Sequence, residues 1–82
     1  MKNHFVYILK CADGTLYTGY TTNPARRVRM HKLGLASKFT RSRLPVRLVH
    51  LERCITKSAA LKRELEIKSL SRGEKLRLCD KR

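Results

Sequence analysis

No stretch of this chain approaches the roughly 20 consecutive apolar residues that a bilayer-spanning helix requires, so nothing in it reads as a membrane span. Met1-Lys2-Asn3-His4 leads straight into a short β-like run, without the apolar segment and small-residue cleavage site of a secretory signal, and the expectation is a cytoplasmic protein. Cysteine is sparse: Cys11, Cys54 and Cys79 are odd in number, widely spaced and form no C-x-x-C pair. That argues against both a disulfide framework and a zinc ribbon. Aromatic residues make up only 6% of the chain, too few for a grip on nucleobases by stacking, so a partner nucleic acid is expected to be held by its backbone. Acid is scarce too. Only six Asp and Glu stand against 20 Lys and Arg, a formal net charge of +14.

The placement of that charge says more than its sum. Between Asp13 and Glu52 there is no acidic residue, while Arg26, Arg27, Arg29, Lys32, Lys38, Arg41, Arg43 and Arg47 fall in that interval. A field of one sign raises the local concentration of a polyanion and speeds its capture through neutralised phosphates and released counterions. An anionic lipid surface would be the other polyanion, but no strongly apolar helix face accompanies the charge. Charge therefore points to nucleic acid as the partner class, without naming an activity.

Eighty-two residues support one domain, 1–82, with one modest core. There are no repeats and no low-complexity segments. Residues 4–11 and 15–21 are rich in β-branched and aromatic side chains and flank Ala12-Asp13-Gly14, which predicts a β-hairpin. The loop length has a functional consequence. A two-residue Asp-Gly turn would put Tyr7 and Tyr17 on opposite faces of the sheet. A three-residue loop with Gly14 left-handed pairs Cys11 with Thr15, Leu9 with Tyr17 and Tyr7 with Gly19. Both tyrosines then share a face, with Gly19 clearing space opposite Tyr7. The second arrangement is the one expected.

Asn23-Pro24 starts a helix, as an N-cap followed by proline at the first helical position, and the helix runs to about Leu33 with Gly34 as its C-terminal cap. Residues 35–44 read as a basic loop. Val46–Cys54 alternates as a third strand, Thr56 caps a second helix from Lys57 to Leu70, and Ser71-Arg72-Gly73-Glu74 has capping-box spacing for a short third helix. The expected class is α+β, a small three-stranded antiparallel sheet with flanking helices in the order β-β-α-β-α-α.

Arg27 and His31 are four residues apart and share a helix face, roughly 6 Å from each other. Paired cationic groups suit a phosphate, since a guanidinium can bridge two of its oxygens. A solvated basic face is the plainer alternative. Glu64 has Ala60 and Leu61 behind it and Ile67 and Lys68 ahead at helical spacing, which sets it on or beside the apolar face, whereas Glu66 is turned away. A carboxylate there needs a compensating cation: a metal ion, or an internal ion pair with Arg27 or Lys68. One carboxylate suffices for Mg²⁺ only when water and substrate phosphate supply the remaining oxygens. Tyr7 and Tyr17 read alone as sheet aromatics. A phenol becomes a base only where nearby cations favour its phenolate, and the adjacent helix offers such cations.

Taken together these residues resemble the GIY-YIG nuclease domain, over roughly residues 4–79, and most closely its small stand-alone members. The first half-motif stands here as Val6-Tyr7-Ile8, keeping only the tyrosine of its triplet, and the second as Tyr17-Thr18-Gly19, with threonine in place of isoleucine. Arg27 and His31 match the family's R-x-x-x-H helix, and Glu64 its metal-binding glutamate. The resemblance implies hydrolysis of phosphodiester bonds in DNA, single strands included, of the kind used in repair and recombination, with one Mg²⁺ or Mn²⁺. In that scheme Glu64 holds the metal and Arg27 stabilises charge on the pentacovalent phosphate. Tyr7 helps activate the attacking water, and Tyr17 and His31 position water or phosphate. Gly19, Arg26, Arg29, Lys32, Lys38, Thr40, Arg41 and Arg43 make up the expected nucleic-acid surface, with Lys38, Thr40 and Arg41 clamping the strand. A monomer is the expected state. The main alternative is a module on the same fold that holds nucleic acid without cutting it.

Overall fold

The computed structural model describes residues 3–80. Strand β1 (His4–Lys10) and strand β2 (Leu16–Thr21) form the hairpin, followed by helix α1 (Pro24–Lys32), the one-turn helix α2 (Lys38–Arg41), strand β3 (Arg47–Cys54), helix α3 (Lys57–Lys68) and helix α4 (Arg72–Cys79). All pairing is antiparallel in the order β2-β1-β3, so β1 is central. The expected class and element order hold, with α2 as an addition inside the segment read as loop. There Ser37 acts as N-cap, its hydroxyl accepting the Thr40 N–H.

The hairpin has the three-residue connection. Cys11 N–H donates to the Thr15 carbonyl at 2.9 Å, Gly14 N–H donates to the Cys11 carbonyl at 2.9 Å, and Gly14 has a φ of 87°. Glycine takes that left-handed conformation without steric cost. The register follows, with Tyr7 opposite Gly19 and Leu9 opposite Tyr17. The turn is also tied down from outside: Arg72 Nη1 donates to the Gly14 carbonyl at 2.6 Å, and Asp13 pairs with Arg43 at 3.2 Å.

Helices cover both faces of the sheet. On one face Val6 and Ile8 pack with Ala60 and Ile67 of α3, joined by Val49, Leu78 and Cys79. On the other, Tyr7, Leu9, Cys11 and Val46 pack with Tyr17 and with Val28 of α1. This explains the unbroken run Val6-Tyr7-Ile8-Leu9 in β1, all four residues buried, where a sheet covered on one face would alternate. Strand β3 departs from simple alternation. Ile8 pairs with His50 but Leu9 with Leu48, so Val49 lies in a bulge that re-aims the following side chains. Ser71 caps α4 with the full reciprocal capping box to Glu74.

Candidate active site

The face beneath α1 carries the polar chemistry. Tyr7 is 1% exposed, and its hydroxyl meets Nε2 of His31 at 2.8 Å. Gly19 makes room for it. A Cβ at Gly19 would overlap Cζ and Oη of Tyr7 and lie 2.9 Å from its Cε2. The glycine of the second half-motif is thus a steric requirement of the tyrosine in the first. Tyr17, two residues before it on the same face, stands 6.4 Å from the Tyr7 ring and 5.1 Å from His31, edge to face with the latter.

His31 is fully buried, and its Nδ1 meets the Thr40 hydroxyl at 2.8 Å. Burial, reinforced by the neighbouring positive charge of Arg27, holds its pKa below the ordinary histidine value, so the ring is neutral at pH 7. Burial pushes the Tyr7 phenol above its ordinary value. The Arg27 guanidinium beside it acts in the opposite direction, while Tyr17 and Glu64 add to the rise. Arg27 Nε is buried and has no hydrogen-bond partner among the described residues.

Glu64 comes from α3 on the far face, and the field of its carboxylate nonetheless reaches Tyr7. Its side chain is 17% exposed and pairs with Lys68 at 3.4 Å, one of the two internal partners weighed from sequence. Among the described residues no cluster of three or more His, Cys, Asp or Glu could hold a metal. Glu64 is therefore a one-carboxylate oxygen donor. That fits a hydrated Mg²⁺ or Mn²⁺ only where substrate phosphate completes the shell.

The expected nucleic-acid surface divides in two. Arg26, Arg29, Lys32, Lys38 and Arg41 are exposed on α1 and α2, free to meet phosphates. Thr40 does not join them. It is 0% exposed, because α2 turns its hydroxyl inward onto His31, and a strand could not reach it. Gly19 is likewise buried behind the Tyr7 ring. Arg43 is engaged internally, over the Phe39 ring at 3.9 Å and paired with Asp13. Two residues were missed from sequence. Ser37 bonds the Thr40 hydroxyl at 3.0 Å, and Phe39, 39% exposed, stacks on Tyr17 at 5.8 Å. The spacing of Ser37 to Thr40, an N-cap and its third residue, was the available signal.

A model of the GIY-YIG catalytic domain matches residues 3–77. A UPF0213 protein of Natronomonas pharaonis is 63% identical over 93% of this chain and 89% of its own length. One from Staphylococcus aureus is 54% identical over the whole of both chains. The solution structure of a UPF0213 protein from Bacillus halodurans superposes with a TM-score of 0.60 at 49% identity, covering 93% of this chain and 81% of that one. No helix of the described residues is long and apolar enough to cross a membrane. A family match running nearly end to end, on a chain whose two half-motif tyrosines face each other across one site, means that this protein belongs to the GIY-YIG nuclease superfamily.

Proposed function

We propose that the protein is a divalent-metal-dependent endonuclease acting on the phosphodiester backbone of DNA. The observation that carries this reading is the gathering of Tyr7, Tyr17, His31 and Arg27 at one place, with Glu64 in electrostatic reach. The guanidinium of Arg27, a half-buried residue, binds a non-bridging phosphate oxygen and offsets the charge that grows as water attacks. Tyr7 holds the attacking water by its hydroxyl oxygen and takes its proton, with Arg27 favouring the phenolate and His31 Nε2 accepting the phenolic proton. Tyr17, packed against both rings, orients the phosphate. Glu64 would hold Mg²⁺ or Mn²⁺, which supplies charge neutralisation at the scissile phosphate and the leaving 3′ oxygen. The exposed cations of α1 and α2 hold the flanking backbone.

The test is a cleavage panel of labelled single- and double-stranded DNA and RNA with Mg²⁺ and with Mn²⁺. Wild type should cut DNA only with metal present, and Glu64→Ala and Tyr7→Phe should each abolish cutting. Tight binding without cleavage across all substrates and both metals would replace the enzyme with a binding module.

A further inference from the structure

Behind Tyr7 the structure continues in a file of hydrogen bonds: the Tyr7 hydroxyl to His31 Nε2 at 2.8 Å, His31 Nδ1 to the Thr40 hydroxyl at 2.8 Å, and the Thr40 hydroxyl to that of Ser37 at 3.0 Å. A neutral imidazole carries one proton, so the file runs in one of two directions. We propose that Thr40 is a positioning residue that fixes His31 as the Nδ1–H tautomer, so that its Nε2 lone pair faces Tyr7. The catalytic half of this proposal rests on the nuclease reading; the tautomer does not.

The direction follows from counting donors around buried groups. Tyr7 is 1% exposed, so its O–H must find an acceptor inside the protein. His31 Nε2 is the acceptor the geometry provides, for Arg27 beside the phenol has only donors. With Nε2 accepting, the ring proton sits on Nδ1 and donates to Thr40 Oγ1. The Thr40 O–H is then free to donate to Ser37, whose hydroxyl lies at 3.0 Å and whose carbonyl lies at 3.4 Å. The donors of Tyr7, His31 and Thr40 are each satisfied. Reversing the file points Nε2–H at the Tyr7 oxygen and strands the phenolic proton in the core. Helix α2 is what makes the first direction available. Ser37 caps it, and its single turn presents the Thr40 hydroxyl to the ring.

The catalytic consequence concerns where one proton goes. When Tyr7 takes a proton from water, its own must leave, and an Nε2 lone pair at 2.8 Å receives it on the side away from the substrate. Water's O–H breaks as a new Tyr7 O–H forms, the old Tyr7 O–H breaks as Nε2–H forms, and the water oxygen bonds to phosphorus as the bond to the leaving oxygen breaks. The imidazolium then returns its proton to Tyr7, which passes one on to the leaving oxygen. Thr40 touches neither water nor phosphate. It acts through His31.

The test uses the 82-residue chain labelled with ¹⁵N, and two-bond ¹H–¹⁵N correlation spectra, which separate the two neutral tautomers of each histidine. In the wild type and in Thr40→Ser, His31 should carry its proton on Nδ1. In Thr40→Val, where no acceptor remains, the Nε2–H form should appear. Cleavage by Thr40→Val should fall about ten- to hundredfold in kcat, the loss expected when a buried donor loses its partner, with KM little changed and with rescue by serine. An Nε2–H tautomer in the wild type would overturn the proposal without recourse to any variant, even one that failed to fold. So would one tautomer shared by all three proteins, or a tautomer switch that left kcat untouched. A wild type that cuts nothing overturns the nuclease reading while the spectra still decide the tautomer.

Discussion

Replacing Gly19 by alanine isolates the contact on which the candidate site is built. Inside a strand, glycine to alanine ordinarily stabilises by about 0.5–1 kcal/mol, because the unfolded chain loses freedom. Here the sign should reverse. The new Cβ would overlap Cζ and Oη of Tyr7, where apolar contacts normally settle near 3.5–4.0 Å. The ring cannot simply slide away, since it is 1% exposed and its hydroxyl is held by His31. Overpacking of this kind costs about 1–3 kcal/mol, and loss of the Tyr7–His31 bond adds about 1 kcal/mol. Set against the strand gain, the net loss is about 2 kcal/mol, or about 10 °C in Tm for a chain of this size. Cleavage by the protein that remains folded should fall about a hundredfold, since a reacting group displaced by about 1 Å costs that much. Thermal melts and cleavage rates are measured in wild type, Gly19→Ala, Tyr7→Leu and the double variant. In the Tyr7→Leu background, which removes the ring, Gly19→Ala should be neutral or mildly stabilising, a coupling of about 2 kcal/mol. A single variant that melts at or above wild type, or an equal loss in both backgrounds, would refute the steric account.

Other consequences are open to direct measurement. The folded-state pKa of His31 lies below its unfolded value, so its contribution to stability is whole above the ordinary histidine range and is lost as pH falls through it and below. Melts of wild type should therefore drop between about pH 6.5 and 5 more steeply than those of His31→Phe, and parallel curves would count against the buried neutral ring. Binding to duplex DNA should weaken with salt, and Arg41→Ala, on the exposed face of α2, should flatten the log–log slope by about 0.9. An unchanged slope would remove Arg41 from the interface. Ser71→Ala breaks the capping box of α4 and should cost about 1 kcal/mol in denaturant titrations, with cleavage per folded molecule unchanged; a change in that activity would tie α4 to the site.

What could be read in the chain was what short-range chemistry determines. The hairpin register follows from the three residues between Cys11 and Thr15, and it alone sets Tyr7 opposite Gly19 and Tyr17 on the same face. Asn23-Pro24, Thr56 and the Ser71–Glu74 pair each marked a helix start by a cap that acts within one turn. Helix α2 escaped notice because it spans only Lys38–Arg41 and has no apolar period to betray it. Thr40 was misplaced for the same reason. A threonine among arginines reads as a loop residue near phosphate, and only the fold of that single turn shows its hydroxyl facing His31. Phe39 stacked on Tyr17 was hidden likewise, since the pairing joins β2 to the one-turn α2 across 22 positions of chain. The coverage of both sheet faces was written in Val6-Tyr7-Ile8-Leu9, but a four-residue apolar run also fits other buried settings.

A chain of 82 residues has little interior to divide between stability and function, and this one assigns a face to each. Beneath α3, Val6, Ile8, Ala60 and Ile67 make an apolar contact that asks nothing of polar chemistry. Beneath α1, the core is the candidate site: Tyr7, His31 and Thr40 are all essentially fully buried. Polar groups can sit in a core only if each is paired, and the file from Tyr7 to Ser37 pairs them one after another. Arg27, half-buried beside the phenol, keeps its guanidinium outside that file as the group a phosphate oxygen would meet. Substitutions on the two faces should therefore separate. Ile67→Ala lowers the melting temperature and leaves the rate per folded molecule alone. A change at Tyr7, His31 or Thr40 should move both, because there the same side chains fill the core and build the candidate site.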